Sequence, residues 1–172
     1  MRYLRWYAPQ ECFKYMRMKT NATAVQVSSV PNMTWIFSLE PLPRYVTELS
    51  VERGGNVMGL HRNNRDRIIM MIAPRWQDSS YDDIVSAAVK LAVARIQQIT
   101  KSAHTDDSYQ YMNYAGGFQD PIAGYGEAST AFLHATRMHY DPRGIFQHRM
   151  PGGFKIPNMG SSPQAGDQVP LM

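Results

Sequence analysis

The sequence predicts an α+β fold: an antiparallel sheet covered on one face by helices. Three observations point to it. Runs rich in β-branched and aromatic residues recur at 23–30, 34–41 and 67–76, with short turn-forming connections that suit antiparallel pairing. Asp78 to Ala103 repeats its apolar residues at helical spacing. Hydrophobic residues make up 44% of a 172-residue chain, enough to build a core rather than leave the chain disordered.

Each element has its own signal. "PQECFKYMRMKT", Pro9 to Thr20, predicts a short helix, with Pro9 at a first helical position and Phe13 and Met16 on its buried stripe. "TAVQVSSV", Thr23 to Val30, predicts a strand, and Pro31-Asn32 a turn. "TWIFSLEP", Thr34 to Pro41, predicts a second strand. Alternation puts Trp35, Phe37 and Leu39 on one face and Ile36, Ser38 and Glu40 on the other. "NVMGL" after Gly54-Gly55 is a short strand candidate. "RIIMMIAPRW", Arg67 to Trp76, has the continuous apolar middle of a central strand. The clearest helix is Asp78 to Ala103, with Asp78, Ser79 or Ser80 as its cap and Asp82 and Asp83 in its first turn. A second helix is predicted from Glu127 to His139 with Ala128, Ala131, Phe132, Ala135 and Met138 inward, ended by the "DPRG" turn at Asp141 to Gly144. Residues 157–172, rich in Pro, Gly and Ser, predict a disordered tail.

Composition excludes several functions. Net charge is +4, and the arginines are scattered apart from "HRNNRDR" at His61 to Arg67, which reads as a solvated loop. No nucleic-acid partner is expected. No segment is apolar for long enough to span a membrane, so no membrane partner is expected. Arg2, Arg5, Glu11 and Lys14 interrupt any apolar run near the start, so no signal peptide is expected and a cytoplasmic location is the default. The single Cys12 has no cysteine partner, and no metal site is expected.

The chemistry concentrates in "YQYMNYAGGFQDPIAGYG", Tyr109 to Gly126. Tyrosines around an asparagine offer stacking faces, hydroxyl donors and an amide. That set suits a flat heteroaromatic with carbonyl and N–H edges. The bland alternative is a strand whose tyrosines pack on the sheet while Asn113 caps a turn.

Three stretches in order resemble a known family: "EPLPRYVTELSVERGGNVMGL" (Glu40 to Leu60), "YMNYAGGFQDPIAGYG" (Tyr111 to Gly126) and "YDPRGIFQHRMPGGFK" (Tyr140 to Lys155). Together they resemble the C-terminal half of fungal FAD-linked oxidoreductases of the berberine-bridge-enzyme-like branch of the vanillyl-alcohol-oxidase family. The middle stretch resembles that branch's Tyr-x-Asn-Tyr signature, and the last its closing "DP-x-G-x-F-Q … GGFK". The resemblance implies a partial substrate-binding domain at 1–103 and a segment packing toward the flavin at 104–156.

FAD is the implied cofactor, with Tyr111, Asn113 and Tyr114 facing its isoalloxazine ring. The implied reaction passes hydride from a small secondary metabolite to flavin N5, with Glu40 and Tyr111 as catalytic residues. Glu40 is placed to accept a substrate proton, unless it is only a solvated carboxylate at a strand end. The family's N-terminal FAD domain has no counterpart here, so a truncated or split enzyme is expected. Its partners would be a small-molecule substrate and either a separate FAD-domain chain or a second copy. The alternative is a flavin-free small-molecule-binding or scaffold protein, or an inactive relic.

Overall fold

The computed structural model describes residues 10–63 and 65–157. The expectations for Pro9, for the side chains of Cys12 and Phe13, and for the tail beyond Pro157 lie outside the described residues. The chain divides into two compact units, one of Met1–Pro41 with Ile68–Asp107 and one of Leu42–Arg67 with Ser108–Met172.

The first unit is α+β. It holds α1 (Gln10–Val25), β1 (Thr34–Leu42), β2 (Arg67–Arg75, whose first residue falls in the other unit) and α3 (Asp82–Ser102). The strands at 34–41 and 67–76 appear as expected and pair antiparallel, but among the described residues the sheet has only these two strands. β2 is therefore not a central strand.

The strand expected at Thr23 to Val30 does not form. Helix α1 runs on to Val25, and a series of i→i+3 backbone bonds then carries the chain to Met33. Burial explains the reversal. The Thr20 hydroxyl donates to Met16 O at 2.8 Å, as threonine can in a helix, and the Thr23 hydroxyl accepts from Arg95 Nη1 at 3.1 Å. Val27 and Val30 then reach the core from the turn rather than from a strand. Tertiary packing overrides the β propensity of these residues.

Two apolar clusters close the first unit. Val27 and Val30 meet Val85 and Ala88 of α3, with Trp35 and Trp76 alongside. Met16 meets Ile96, with Phe37, Met70, Ile72 and Ile99 around them. Trp35 and Phe37 alternate on β1, and Met70 and Ile72 on β2, so helices α1 and α3 cover one face of the sheet. Leu39 does not join them and stays 41% exposed. On α3 the stripe is narrower than expected: Val85, Ala88, Ala92 and Ile96 are buried, while Ile84 and Leu91 are exposed. The Asp78 carboxylate accepts from Ser80 N at 2.9 Å, which caps the 3₁₀ turn Ser79–Tyr81 leading into α3 and holds the carboxyl below its usual range.

The second unit is mainly helical. It holds α2 (Arg44–Glu52), a 3₁₀ turn at Leu60–Arg62, α4 (Pro121–Gly124), α5 (Glu127–Tyr140) and α6 (Ile145–His148). Helix α2 carried no element prediction. Pro43 precedes it, and Asp66 Oδ1 accepts from Arg44 N at 2.8 Å, a cap supplied from a distant loop. The strand candidate at Asn56 to Leu60 is instead a tight turn. Asn56 Oδ1 accepts from Met58 N, and Gly59 takes φ 70.

Helix α5 forms where expected, but its stripe is reversed. Ala128, Ala131, Phe132, Ala135 and Met138 are all exposed. The Thr130 hydroxyl lies 3.0 Å from Gly126 O and 3.3 Å from Ile122 O. That contact turns the face of Thr130, Leu133, His134 and Arg137 inward.

Met16 is 2% exposed, so Met16→Ala is expected to lower stability by about 2–5 kcal/mol. Val25 is 70% exposed, and Val25→Ala should change stability by less than about 0.5 kcal/mol. Urea midpoints compared at constant slope check both values.

Candidate functional site

The segment Tyr109 to Gly126 is not a strand. Its backbone is held by glycines that touch other backbone. A Cβ at Gly124 would overlap Ser108 O, and one at Gly59 would overlap Tyr125 O. Arg62 occupies the junction: its guanidinium donates to Gly59 O at 3.1 Å and to Gly124 O at 2.5 Å, and it lies against Gly126. The sequence marks Arg62 only as one cation of a solvated run. Nothing local signals that its guanidinium reaches a carbonyl 62 positions away.

Further bonds fix the loop. Gly116 N donates to Gln119 Oε1 at 2.9 Å, and Asp120 Oδ1 caps α4 through Ala123 N at 3.0 Å. Tyr109 and Tyr125 stack at 6.2 Å between ring centroids, and the Tyr109 hydroxyl donates to Met58 Sδ at 3.7 Å. Burial is the main cause that pushes the Tyr109 phenol up to about 12, with neighbouring Tyr125 and Tyr111 adding to it and Arg67 opposing. Burial also raises Tyr125. Both phenols therefore stay protonated at neutral pH, and Tyr109 uses its proton as a donor to Met58.

The three expected ring-facing residues come together on one 3₁₀ turn, Met112–Tyr114, opened by Tyr111. Tyr114 N donates to Tyr111 O at 2.9 Å. The Tyr111 and Tyr114 rings meet edge to face at 4.8 Å and 77°. Asn113 Nδ2 donates to the Tyr111 hydroxyl at 2.8 Å. Asn113 is exposed, Tyr111 half-buried and Tyr114 37% exposed, so the turn presents aromatic edges and an amide at the surface.

Glu40 belongs to the first unit, near the end of β1, whereas the tyrosine turn belongs to the second. Glu40 as a residue is half-buried.

The closing stretch Tyr140 to Lys155 is a self-braced loop. Asp141 accepts from Ile145 N at 2.7 Å and Phe146 N at 2.9 Å, which caps α6. Lys155 Nζ donates to the carbonyls of Phe146, Met150 and Gly152 at 3.2, 2.8 and 2.8 Å. Gln147 Oε1 accepts from Ile156 N at 3.0 Å. These residues hold shape rather than chemistry.

Of the basic run, the described residues 61–63 and 65–66 are exposed, and its last residue, Arg67, is 8% exposed and donates to Asn63 O at 2.8 Å. Among the described residues no His, Cys, Asp or Glu group is arranged to hold a metal ion, and no helix is long and apolar enough to cross a membrane.

Comparison with known proteins gives a partial match. No family model matches the chain, and no solved structure matches it. The chain is 36% identical over 121 residues to the FAD-dependent monooxygenase drtC of Aspergillus calidoustus, covering 70% of this chain and 23% of that protein. It is 28% identical over 133 residues to an uncharacterised FAD-linked oxidoreductase of Arthroderma benhamiae, covering 74% and 26% respectively. It is also 33% identical over 145 residues to Oligopeptidase PhomG' of Diaporthe leptostromiformis, covering 83% of this chain and 12% of that protein. The chain thus spans about a quarter or less of the length of the curated relatives it matches. Fungal FAD-dependent monooxygenases and FAD-linked oxidoreductases are its relatives over about 70% of its length, as the three motifs implied, and FAD is the cofactor that this relationship carries.

Two outcomes follow from the geometry. Gly124→Ala should destabilise by about 1–3 kcal/mol, because its Cβ meets backbone that cannot yield. Gly116→Ala should cost less, because its Cβ meets only the Phe118 ring at 2.8 Å, and thermal unfolding of the pair checks the order. For Tyr109, the unfolded phenol loses its proton near 10 and the folded one near 12. Folded stability should therefore be intact below pH 10 and fall as pH rises from 10 toward about 12. Tyr109→Phe should flatten that fall, as read from urea midpoints across the window.

Proposed function

We propose that this chain supplies the substrate-side and ring-facing part of a fungal FAD-linked oxidoreductase of the berberine-bridge-like branch, acting on a small secondary metabolite of mycotoxin or alkaloid type. The observation that carries the reading is the Tyr111–Asn113–Tyr114 turn. It sets two aromatic edges and an amide at the surface, in a chain whose relatives include proteins named FAD-dependent.

The residues fit one end of the cofactor. Aromatic edges and an amide match the flat ring and its carbonyl and N–H edge. They do not fit the pyrophosphate: Gly54 and Gly55 follow the C-terminal end of α2, where Gly55 N donates to Ser50 O at 2.7 Å. A separate FAD domain is therefore part of the proposal, as a second chain or as another part of a longer one.

FAD, when bound, supplies the two-electron acceptor, with the substrate's hydride passing to flavin N5. In this reading Glu40 accepts the proton from the substrate hydroxyl or N–H, and its half-buried setting at a strand end suits a general base. Tyr111 and Tyr114 form the wall against the ring. Phe132, Tyr140 and Phe146, at 60%, 78% and 64% exposure, offer an apolar surface for the FAD domain or for a second copy of the chain.

A second reading rests on the internal use of the motif's polar groups. Gln119, Asp120 and Asn113 all bond within the loop, as they would in a flavin-free binding or scaffold protein or in a relic. Of two measurements, the first tests both readings and the second separates them. Purified alone, the chain should show no flavin absorbance. Mixed with the FAD domain of a relative such as drtC, it should oxidise some member of a panel of small alcohols, phenols and amines, with neither chain active alone. Glu40→Gln should lower that turnover by roughly 10²–10⁴-fold. Failure of every pairing would favour the flavin-free reading.

A further inference from the structure

Asn113 and Tyr111 raise a question of polarity. The Asn113 amide lies 2.8 Å from the Tyr111 hydroxyl, with Nδ2 as donor. A phenol carries one proton and two acceptor lone pairs. That proton prefers the ring plane, on one side of the oxygen or the other. An N–H aimed at one side leaves the proton to the other, because two donors cannot share one lone pair. The Tyr111 ring packs against Tyr114, with centroids 4.8 Å apart and planes at 77°, and the Tyr111 backbone carbonyl accepts from Tyr114 N at 2.9 Å. The turn therefore sets not only where the hydroxyl sits but which way its proton points.

We propose that Asn113 is a positioning residue that holds the Tyr111 phenol as a hydrogen-bond donor toward the bound molecule, so that the group opposite Tyr111 is an acceptor: a carbonyl or deprotonated oxygen or nitrogen, and not an N–H or a protonated amine. This rests on the reading that the turn faces a cofactor or substrate. It replaces the simpler idea that Asn113 itself bonds the flavin edge. The acceptor has two sources of the same chemistry, a carbonyl edge of the flavin or an oxygen of the substrate.

The key variant is Asn113→Asp, which keeps the shape but swaps the donor for a carboxylate acceptor. The Tyr111 proton then turns inward to Asp, and the outward donor is lost. The tyrosine Fermi doublet in the Raman spectrum of the chain alone reports whether a phenol donates or accepts. Parent minus Asn113→Asp should show one tyrosine changing from acceptor toward strong donor, and the difference should vanish in a Tyr111→Phe background. No difference would overturn the proposal, whatever the chain's function.

In the complemented enzyme, Tyr111→Phe and Asn113→Asp should each weaken the same step about tenfold, the scale of one lost hydrogen bond, and the double variant should lose no more than either alone. Additive losses would mean that Asn113 meets the ligand directly, which also overturns it. A loss confined to flavin retention assigns the acceptor to the cofactor. A loss in kcat or KM with flavin retained assigns it to the substrate. If Tyr111→Phe leaves both unchanged in an active pair, the outward role falls although the hydrogen bond stands. If no pairing is active, the proposed function falls, and the Raman difference still decides the polarity of the turn.

Discussion

The second unit depends on one constraint: two turns must approach each other backbone to backbone. Gly59 opens the Leu60–Arg62 turn directly against Tyr125 O, and Gly124 lies directly against Ser108 O. Neither position has room for a Cβ. Arg62 fills the space beside them and ties the carbonyls of Gly59 and Gly124 together. The approach determines the rest. It places Tyr125 under Tyr109, brings Met58 to the Tyr109 hydroxyl, and sets where the chain leaves Tyr109 to form the Tyr111–Tyr114 turn. The chemistry proposed for that turn thus rests on glycines and an arginine that touch no reacting group.

This division of labour changes how the motifs are read. The closing "DPRGIFQHRMPGGFK" resembles a family signature, yet Asp141, Gln147 and Lys155 within it serve the loop itself. Asp141 caps α6, Gln147 clips Ile156, and Lys155 gathers three carbonyl oxygens. In "YMNYAGGFQDPIAGYG" Gln119, Asp120 and Gly124 likewise serve shape, which leaves Tyr111, Asn113 and Tyr114 as the polar aromatic and amide groups not taken up by that scaffold. Each stretch is therefore mostly scaffold, and its chemical content is small and local.

Legibility in the sequence followed the range of the forces. Helix α3 was readable because its apolar spacing, the acidic residues of its first turn and the Asp78-capped turn leading into it are local. Strands β1 and β2 were readable from their β-branched and aromatic runs. Thr23 to Val30 misled because the same residues are buried by α3 and bonded by Arg95, which no window around them contains. Helix α2 was missed because part of its cap, Asp66, lies 22 positions away. At the site, the grouping of Tyr111, Asn113 and Tyr114 was legible because one turn holds all three. The internal bond from Asn113 to Tyr111 was not, since residue types alone leave open whether an amide faces a ligand or its neighbour.

The reversed stripe of α5 carries the last step. A helix in a unit held by its apolar core would bury Phe132 and Met138, but here they are 60% and 49% exposed while a threonine contact orients the helix. The buried residues of the second unit are few: Leu60, Ile122, Tyr125, Pro121 and a handful of others. Its order comes from glycine contacts, caps and carbonyl clips, each worth about 1 kcal/mol, rather than from apolar area. A unit built that way leaves large side chains outward. That exposure supports the proposed covering partner, because a chain that binds this folded unit and not its unfolded form stabilises it by mass action.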